Sequence, residues 1–237
     1  MNKVISDVVP VIAIDGPSAS GKGTVARLVA RKLGFHFLDS GALYRLLALA
    51  ALQRGAALDD EEGLSRLASS LDICFDGDAV LLDGAIVTDA IRSETCGDGA
   101  SKIATYPAVR AALLDLQRAF RKAPGLVADG RDMGSVVFPD AATKIFLTAG
   151  AEVRAQRRVK QLIEKGMGDN IPLSQILQDI KQRDERDSAR SVAPLQQCAD
   201  ASLLDTSSLN IDEAVAAVMA AFARSPGYTL RGHDLRI

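Results

Sequence analysis

The sequence predicts an α/β fold: a parallel β-sheet flanked by helices, with an inserted lobe that contains a small antiparallel meander, and with a helical lid. Short apolar runs alternate with segments of helical periodicity along most of the chain, as in parallel sheets covered on both faces. Between residues 72 and 88 the apolar runs are instead separated by Asp76-Gly77 and Asp83-Gly84. Asp-Gly favours hairpins because both turn positions need positive φ. A glycine-rich segment directly follows the first apolar run.

The individual elements follow from the same periodicities. Short apolar runs bounded by turn residues predict buried strands, and apolar residues three and four apart predict helices. The predicted strands are 11–15, 35–38, 125–129, 143–148 and 202–205. The predicted helices are 25–33, 42–54, 151–165, 173–187 and 211–223, and residues 98–122 also have a helical pattern. Gly34 and Gly55 stand where two helices should end, since glycine adopts left-handed conformations there. Pro107 suits the first turn of a helix.

Composition excludes several classes of protein. The 237 residues carry 28 basic and 30 acidic side chains, whereas nucleic-acid binders usually have a clear basic excess. Cys74, Cys96 and Cys198 form no CxxC pair, which argues against a disulfide framework or a zinc site. No run approaches 18 apolar residues, and the N-terminal stretch lacks the apolar core of a signal peptide. We therefore expect a soluble, cytoplasmic protein that acts as a monomer on small molecules, without nucleic-acid or membrane partners.

The glycine-rich segment carries the strongest functional signal. It lies between a predicted strand and a predicted helix, which is the context of a P-loop. In a P-loop, backbone N–H groups and the helix dipole surround phosphate oxygens, and a lysine adds a mobile positive charge. The residues expected to bind ATP phosphates are Gly16, Pro17, Ser18, Ala19, Ser20, Gly21, Lys22, Gly23 and Thr24.

The P-loop departs from the usual pattern at one position. Most P-loops carry a magnesium-binding Ser or Thr directly after the lysine, but here that residue is Gly23, and Thr24 follows one place later. We therefore assign no residue as a direct metal ligand, and expect Mg²⁺ to be held chiefly by ATP oxygens and water.

Three motifs in order closely resemble bacterial cytidylate kinases. After the GKGT ending of the P-loop, which is typical of nucleoside monophosphate kinases, they are LDSGALYR (38–45), ADGRDMG (128–134) and RDERDSAR (183–190). The resemblance runs from about residue 10 to residue 220 and includes the meander. It implies ATP-dependent phosphorylation of CMP or dCMP, with Mg²⁺ accompanying ATP.

The resemblance also implies a three-part enzyme and the roles of individual residues. The P-loop core would comprise 1–40, 105–150 and 186–225, the nucleotide-monophosphate lobe 41–104, the lid 151–185 and a tail 226–237. Catalytic roles are implied for Lys22, Asp129 and Arg131, with Arg157 in the ATP site. Ser101, Arg110 and Asp132 would face the cytosine edge, Arg183 and Asp187 the sugar, and Arg45, Arg131 and Arg190 the acceptor phosphate; Ser40 and Tyr44 complete the acceptor site.

Elementary chemistry is consistent with this assignment. The acceptor phosphate of a nucleoside monophosphate is already an oxyanion, so no general base is required, and the chain has only His36 and His233. Arginine is required, because its planar guanidinium group pairs with two phosphate oxygens at once and stays charged. Asp129 ends an apolar strand, at the sheet edge where ligands collect.

Structural alternatives apply to the charged residues. Arg45 could be a solvated helix residue, and RDERDSAR could be a helix end joined by ion pairs. The basic segment 151–165 is either the start of a lid that excludes water or a solvated amphipathic helix.

Other functions remain open at this stage. A kinase of the same class could use AMP, UMP, dTMP or shikimate as acceptor. A GTPase should carry an NKxD motif, and the sequence has none. An ATPase should hydrolyse ATP without an acceptor, and a non-catalytic binding module should tolerate loss of Lys22.

Overall fold

The α/β fold is confirmed by a computed structural model, which describes residues 8–76, 79–164 and 172–225. The strands are β1 (Val11–Asp15), β2 (His36–Asp39), β3 (Ile73–Asp76), β4 (Ala79–Leu82), β5 (Ala85–Ile86), β6 (Leu126–Gly130), β7 (Thr143–Thr148) and β8 (Ser202–Asp205). The helices are α1 (Lys22–Leu33), α2 (Ser40–Gln53), α3 (Glu61–Ser69), α4 (Glu94–Ile103), α5 (Pro107–Arg118), α6 (Ala151–Glu164), α7 (Leu173–Ser188) and α8 (Ile211–Ala223). The chain forms two compact units, of which the second is Asp39–Ala119.

The first unit is built on a five-stranded sheet with the order β2-β6-β1-β7-β8. All five residues of β1 are buried, as expected for a parallel strand covered on both faces. Strand β1 pairs in parallel with β6 on one side and β7 on the other, so Asp15 lies beside Gly130. The residues that follow β1 and β6 therefore emerge at the same edge of the sheet.

Helices α1 and α8 form the core of this unit against the sheet. Val25 and Val29 of α1 and Val218 of α8 pack in one cluster with Ile12 and Ile145 of the strands. Burying each such side chain contributes about 1.5–3 kcal/mol relative to leaving it exposed. Helix α1 thus holds its first turn, which carries Lys22, against the end of β1.

Helix termini in this unit confirm the local signals of the sequence. Gly34 ends α1 in the left-handed conformation, with φ 63°, and its N–H bonds to the carbonyls of Ala30 and Arg31. Helix α8 is capped by Asn210, whose side chain accepts from the N–H of Glu213, while the Glu213 carboxylate accepts in return from the N–H of Asn210. This reciprocal cap fixes where α8 begins.

The described part of the second unit contains the meander, four α-helices and a short 3₁₀ helix, Ala90–Arg92. Strands β3, β4 and β5 pair antiparallel in that order. Asp83 and Gly84, between β4 and β5, have φ of 50° and 78°, so both turn positions adopt the positive φ expected of Asp-Gly. The other predicted turn includes Gly77, which lies outside the described residues, as do parts of the proposed lid (165–171) and the tail.

Three features of the second unit bear on what the sequence predicts. The helical segment expected over 98–122 consists of two helices: α4 ends at Ile103, and α5 begins at Pro107, which lies in a first turn as expected. Proline lacks the N–H that a continuous helix needs there, and it pushes the preceding Tyr106 to an extended ψ of 119°. Helix α3 was not predicted, and the second compact unit ends at Ala119, while the lobe boundary at residue 104 stays a prediction.

Two further findings bear on the class of protein. Within residues 8–76, 79–164 and 172–225, no helix combines the length and apolarity needed to cross a bilayer. The thiols of Cys74, Cys96 and Cys198 are not joined in disulfides.

Candidate active site

The loop between β1 and α1 curls into a cradle. Gly16, Ala19 and Gly21 have φ of 152°, 57° and 91°. Left-handed residues alternating with ordinary ones turn successive N–H groups to the same side, which creates a concave anion site. The Ser20 hydroxyl donates to the carbonyl of Pro17 at 3.0 Å, and the Lys22 Nζ donates to the same carbonyl at 3.3 Å. The lysine therefore folds back over the loop.

Lys22 is paired with the carboxylate that ends the neighbouring strand. Its Nζ lies 3.7 Å from Oδ1 of Asp129, and both side chains are about nine-tenths buried. A Cβ built on Gly23 would lie 3.0 Å from Oδ2 of Asp129. Glycine at this position thus leaves room for the carboxylate beside the first turn of α1, which explains the departure from the usual Ser or Thr.

The donors around the cradle fit Mg²⁺ carried by ATP. Magnesium in kinases is bound by one or two carboxylates together with phosphate oxygens and water. Asp129 supplies a carboxylate at the cradle, while Thr24 is exposed. In the described part of the chain, no group of three or more His, Cys, Asp or Glu residues could form a separate protein-only metal site.

Two arginines of α6 donate hydrogen bonds to backbone carbonyls of the loop between β1 and α1. Arg157 Nη1 donates to the carbonyl of Ser20 at 3.0 Å, and Arg154 Nη1 donates to the carbonyl of Ser18 at 3.2 Å. Because the C=O and N–H of a trans peptide point in opposite directions, these bonds turn the N–H groups of Ala19 and Gly21 away from the arginines. The basic helix thus orients the cradle in this structure.

Each of these arginines has a second anchor in the same unit. Arg154 Nη2 contacts Asp184 of α7 at 2.6 Å, and Arg157 contacts both the hydroxyl and the carbonyl of Thr206. The assignment of Arg157 to ATP binding stays a prediction. Arg154 and Thr206 were missed as site residues, because Thr206 is one of many polar residues after a strand and nothing in the sequence pairs it with α6.

A second cluster gathers around Asp187 in the first unit. Arg131 Nε donates to Oδ2 of Asp187 at 2.9 Å, and Arg190 Nη2 donates to Oδ1. Burial alone would raise the pKa of the Asp187 carboxyl, but Arg131, Arg190 and Arg183 together hold it below its usual value. The RDERDSAR motif therefore forms a buried ion cluster with Arg131, more than 50 residues away in the chain.

Replacing Asp187 by Asn tests this cluster. At neutral pH we expect the free energy of unfolding to fall by about 3–5 kcal/mol, because Arg131 and Arg190 lose a buried counter-charge. The carboxyl's pKa is depressed below its ordinary 3.8, so its contribution is present above that pH and is lost as the pH falls through the folded-state pKa. The gap between wild type and variant should therefore be similar at pH 7 and pH 5 and smaller at pH 3, measured by urea unfolding.

The matched control is Asp200→Asn, which removes an exposed carboxylate from its pair with Lys144. That change should cost about 0–1 kcal/mol. Two results would contradict the ion cluster. One is a loss of unfolding free energy in Asp187→Asn at pH 7 that is smaller than the loss in Asp200→Asn. The other is a loss that stays constant from pH 7 down to pH 3.

Asp15, the last residue of β1, is a buried carboxylate that the sequence did not single out. Burial raises its pKa to about 6; the N–H groups of Gly134 and Met133 lower it, and the nearby carboxylates of Asp132 and Asp129 raise it. The carboxyl end of β1 thus adds a further acidic group to the edge that carries Lys22 and Arg131.

The remaining predicted residues belong to the second unit. Arg110 stacks over the ring of Tyr44, with Cζ 5.9 Å from the ring centroid, and donates to the carbonyl of Ala104 at 3.2 Å. Arg45 is half-buried and donates to the carbonyls of Ile91 and Ser93. Ser40 begins α2 and is buried.

Ser101 stands out among these residues. Its hydroxyl is buried and has no hydrogen-bond partner within the described residues. A buried polar group without a partner costs about 1–3 kcal/mol, which is an observation that a ligand could account for.

The fold and the cradle together define a P-loop protein of the phosphotransferase class: a parallel sheet whose first strand leads through a curled loop and a buried lysine into a helix. A family model described as cytidylate kinase matches residues 12–224. This chain belongs to the cytidylate kinase family.

Individual relatives agree with the family match. The chain is 59% identical to a cytidylate kinase of Nitrosomonas eutropha, over 92% of this chain and 96% of the relative. It is 63% identical to a cytidylate kinase of Chromobacterium violaceum, over 90% and 96% of the two chains. Among solved structures, a gluconokinase from Sinorhizobium meliloti aligns over 91% of this chain and 92% of its own, with 18% identity and a TM-score of 0.43, too distant to add to the family assignment.

Proposed function

We propose that this chain transfers the γ-phosphoryl group of ATP to CMP or dCMP, giving ADP and CDP or dCDP. The observation that carries the proposal is the family match, which spans residues 12–224 and so includes the cradle, Asp129 and the Asp187 cluster. Identities of 59% and 63% to cytidylate kinases, each over nine-tenths of the chain, support the same substrates.

The reaction needs positioning and charge neutralisation more than covalent chemistry. An oxygen of the acceptor phosphate forms the new bond to the γ-phosphorus, and the bond from that phosphorus to the β–γ bridging oxygen breaks, its electron pair leaving with ADP. No proton has to be removed first. His36 fits this scheme, because it is exposed and its ring contacts the carbonyl of Ala123 at 3.0 Å.

The cradle would hold the donor. Backbone N–H groups of the loop and the first turn of α1 would bind the phosphates of ATP, and Lys22 would move from the Pro17 carbonyl onto them. Bound Mg²⁺ would neutralise phosphate charge, with Asp129 beside the cradle as its protein carboxylate. Arg154 and Arg157 would keep the loop in shape by holding its carbonyls.

Arg131 and Arg190 would hold the acceptor phosphate. Each guanidinium carries five N–H donors in a fixed plane, so one carboxylate can orient it while other donors reach phosphate oxygens. Asp187 contacts both arginines and is itself only 1% exposed. A planar cation oriented in advance loses little entropy when the phosphate arrives, which favours the in-line geometry.

Recognition of cytosine would use groups of matching type. Cytosine offers an amine donor and a ring-nitrogen acceptor where uracil offers the reverse. Asp132 could accept from the amine, and Ser101 and Arg110 could donate to the ring. The Ser101 hydroxyl, which has no hydrogen-bond partner among the residues that the structure describes, supports this assignment, and so does the burial of Asp132 and Arg110.

We also propose that the protein acts as a monomer in the cytoplasm on ATP with Mg²⁺ and on (d)CMP. The near balance of 28 basic and 30 acidic side chains supports small-molecule partners over nucleic acids. Light scattering after size exclusion would measure the oligomeric state.

An acceptor screen tests the function. Purified protein is given ATP and Mg²⁺ with CMP, dCMP, UMP, AMP, dTMP or shikimate, and ADP release and phosphorylated product are both measured. We expect CMP or dCMP to have the highest kcat/KM, and little ADP release without an acceptor. Higher kcat/KM with any other acceptor would overturn the assignment, and strong acceptor-independent hydrolysis would indicate an ATPase.

A further inference from the structure

Asp15 holds a segment that is distant in the chain. Its Oδ1 accepts from the N–H of Met133 at 2.7 Å, and its Oδ2 accepts from the N–H of Gly134 at 2.8 Å. The carboxylate is 6% exposed, so these bonds form in an environment of low dielectric. Both carboxylate oxygens of Asp15, the last residue of β1, thus accept hydrogen bonds from the backbone that follows β6.

The segment that Asp15 holds is a π-helical turn, Met133–Val137. Such turns are rare and leave their first N–H groups without partners inside the turn. The N–H groups of Val136 and Val137 bond back to the carbonyl of Asp132, so Asp132 occupies the capping position. The Met133 and Gly134 N–H groups that Asp15 accepts are the first two of the turn.

An aspartate at a capping position usually turns its own carboxylate onto the second or third N–H of the helix, which here belongs to Gly134 or Ser135. Asp132 makes no such capping bond. Asp15, 117 positions earlier in the sequence, therefore occupies the Gly134 N–H that the Asp132 carboxylate could otherwise cap.

The stem of Lys144 also packs closely against the turn. A Cβ on Gly134 would lie 3.1 Å from Cδ and 3.2 Å from Cγ of Lys144, and 3.4 Å from Oδ2 of Asp15. Lys144 is in turn held by Asp200, with 2.6 Å between Nζ and Oδ2. The turn thus contacts both the Asp15 carboxylate and an anchored lysine stem.

We propose that Asp15 is a positioning residue for acceptor selection: by capping the turn in place of Asp132, it directs the Asp132 carboxylate toward the base of the acceptor. The inference rests on the proposed function, in which Asp132 accepts from the cytosine amine. Asp15 itself need not touch the nucleotide.

The test is Asp15→Asn, which keeps the shape and one acceptor but sets an amide donor against a backbone N–H. We expect the ratio of kcat/KM for CMP to that for UMP to fall by about tenfold, the equivalent of one charge-assisted hydrogen bond. The KM for ATP should change by less than about twofold, because the cradle is not altered. Gly134→Ala, which displaces the same turn from the Lys144 side, should lower the same ratio.

The matched control is Asp140→Asn. It also removes a carboxylate that accepts two hydrogen bonds, here from Arg121, but it lies on the surface beyond the turn. Its CMP-to-UMP ratio should equal that of the wild type. Thermal unfolding of each variant reports whether it folds, and Gly134→Ala decides the test if Asp15→Asn does not fold.

Two results would overturn the role of Asp15. One is an unchanged CMP-to-UMP ratio in folded Asp15→Asn, or in Gly134→Ala if the former does not fold. The other is a rise in the KM for ATP as large as that for CMP, which would indicate general damage to the edge of the sheet. Failure of the wild type to prefer CMP would instead contradict the proposed function itself.

Discussion

Replacing Lys22 by Ala should lower kcat for phosphoryl transfer by about 100-fold or more. The Lys22 Nζ is the cation at the mouth of the cradle, 3.7 Å from Asp129 and 3.3 Å from the Pro17 carbonyl. In transfer, negative charge spreads over the moving group and the leaving oxygen, and a buried cation stabilises it more strongly than one in water. The measurement is ADP formation with CMP at saturating ATP, together with ATP affinity by calorimetry.

Lys32→Ala is the control for this variant. Lys32 lies on the same helix, α1, in its last turn, and is exposed. Its removal takes away the same charge and should leave kcat within about twofold of wild type. A Lys22→Ala enzyme that retains more than a tenth of wild-type kcat would contradict the placement of the lysine on the transferred group.

Removal of Lys22 also leaves the Asp129 carboxylate with less positive charge around it, so stability must be measured separately. Lys22→Ala combined with Asp129→Asn should recover part of any lost free energy of unfolding, because the buried charge is removed as well. Activity should not recover. A double variant that regains both would indicate that the lysine acts only through stability.

Local periodicity accounts for most of the fold that was predicted. Strand β1 and helix α8 have the predicted bounds, since a run of buried apolar residues and an apolar helix face are both properties of contiguous sequence. Gly34 ends α1 for a reason equally local, its freedom to adopt φ 63°. The cradle was predictable on the same basis, because its glycines and lysine are consecutive residues.

Helix α3 could also have been found. Asp60 caps it by accepting from the N–H of Gly63, and Glu61 and Glu62 occupy its first turn. These are recognised start signals, followed by Leu64 and Ala68 on the buried face. The helix is easily overlooked all the same, because it is short and only Leu64 and Ala68 are buried.

The parts of the site that were not predicted depend on contacts between distant residues. Asp15 contacts Met133 and Gly134, which lie 118 and 119 positions later in the sequence. Arg157 contacts Thr206, which lies 49 positions later. No periodicity in one sequence encodes such pairs, because each follows from the order of strands in the sheet. The π-helical turn is similarly hidden, since two of its N–H groups are bonded by Asp15, which lies far from its five residues in the sequence.

Replacing Gly16 by Ala should lower the free energy of unfolding more than the same replacement at any other described glycine of the first unit. A Cβ there would lie 1.9 Å from the backbone oxygen of Leu147 and 3.0 Å from its carbonyl carbon. Leu147 belongs to β7, which is paired with both β1 and β8, so its carbonyl cannot move without disturbing the sheet. We expect the free energy of unfolding to fall by about 4 kcal/mol or more, with loss of ATP binding.

Comparison with Gly34→Ala distinguishes the steric clash expected at Gly16 from the backbone strain that positive φ causes at both positions. Both glycines have positive φ, 152° and 63°, but a Cβ on Gly34 would meet nothing within 4 Å. Its cost should therefore be the left-handed penalty alone, about 1–2 kcal/mol, with ATP affinity unchanged. Urea unfolding and ATP titration of the two variants side by side give the comparison. If Gly16→Ala costs no more than Gly34→Ala, the first residue of the cradle is not held against β7, and the loop must reach its phosphate-binding shape by another route.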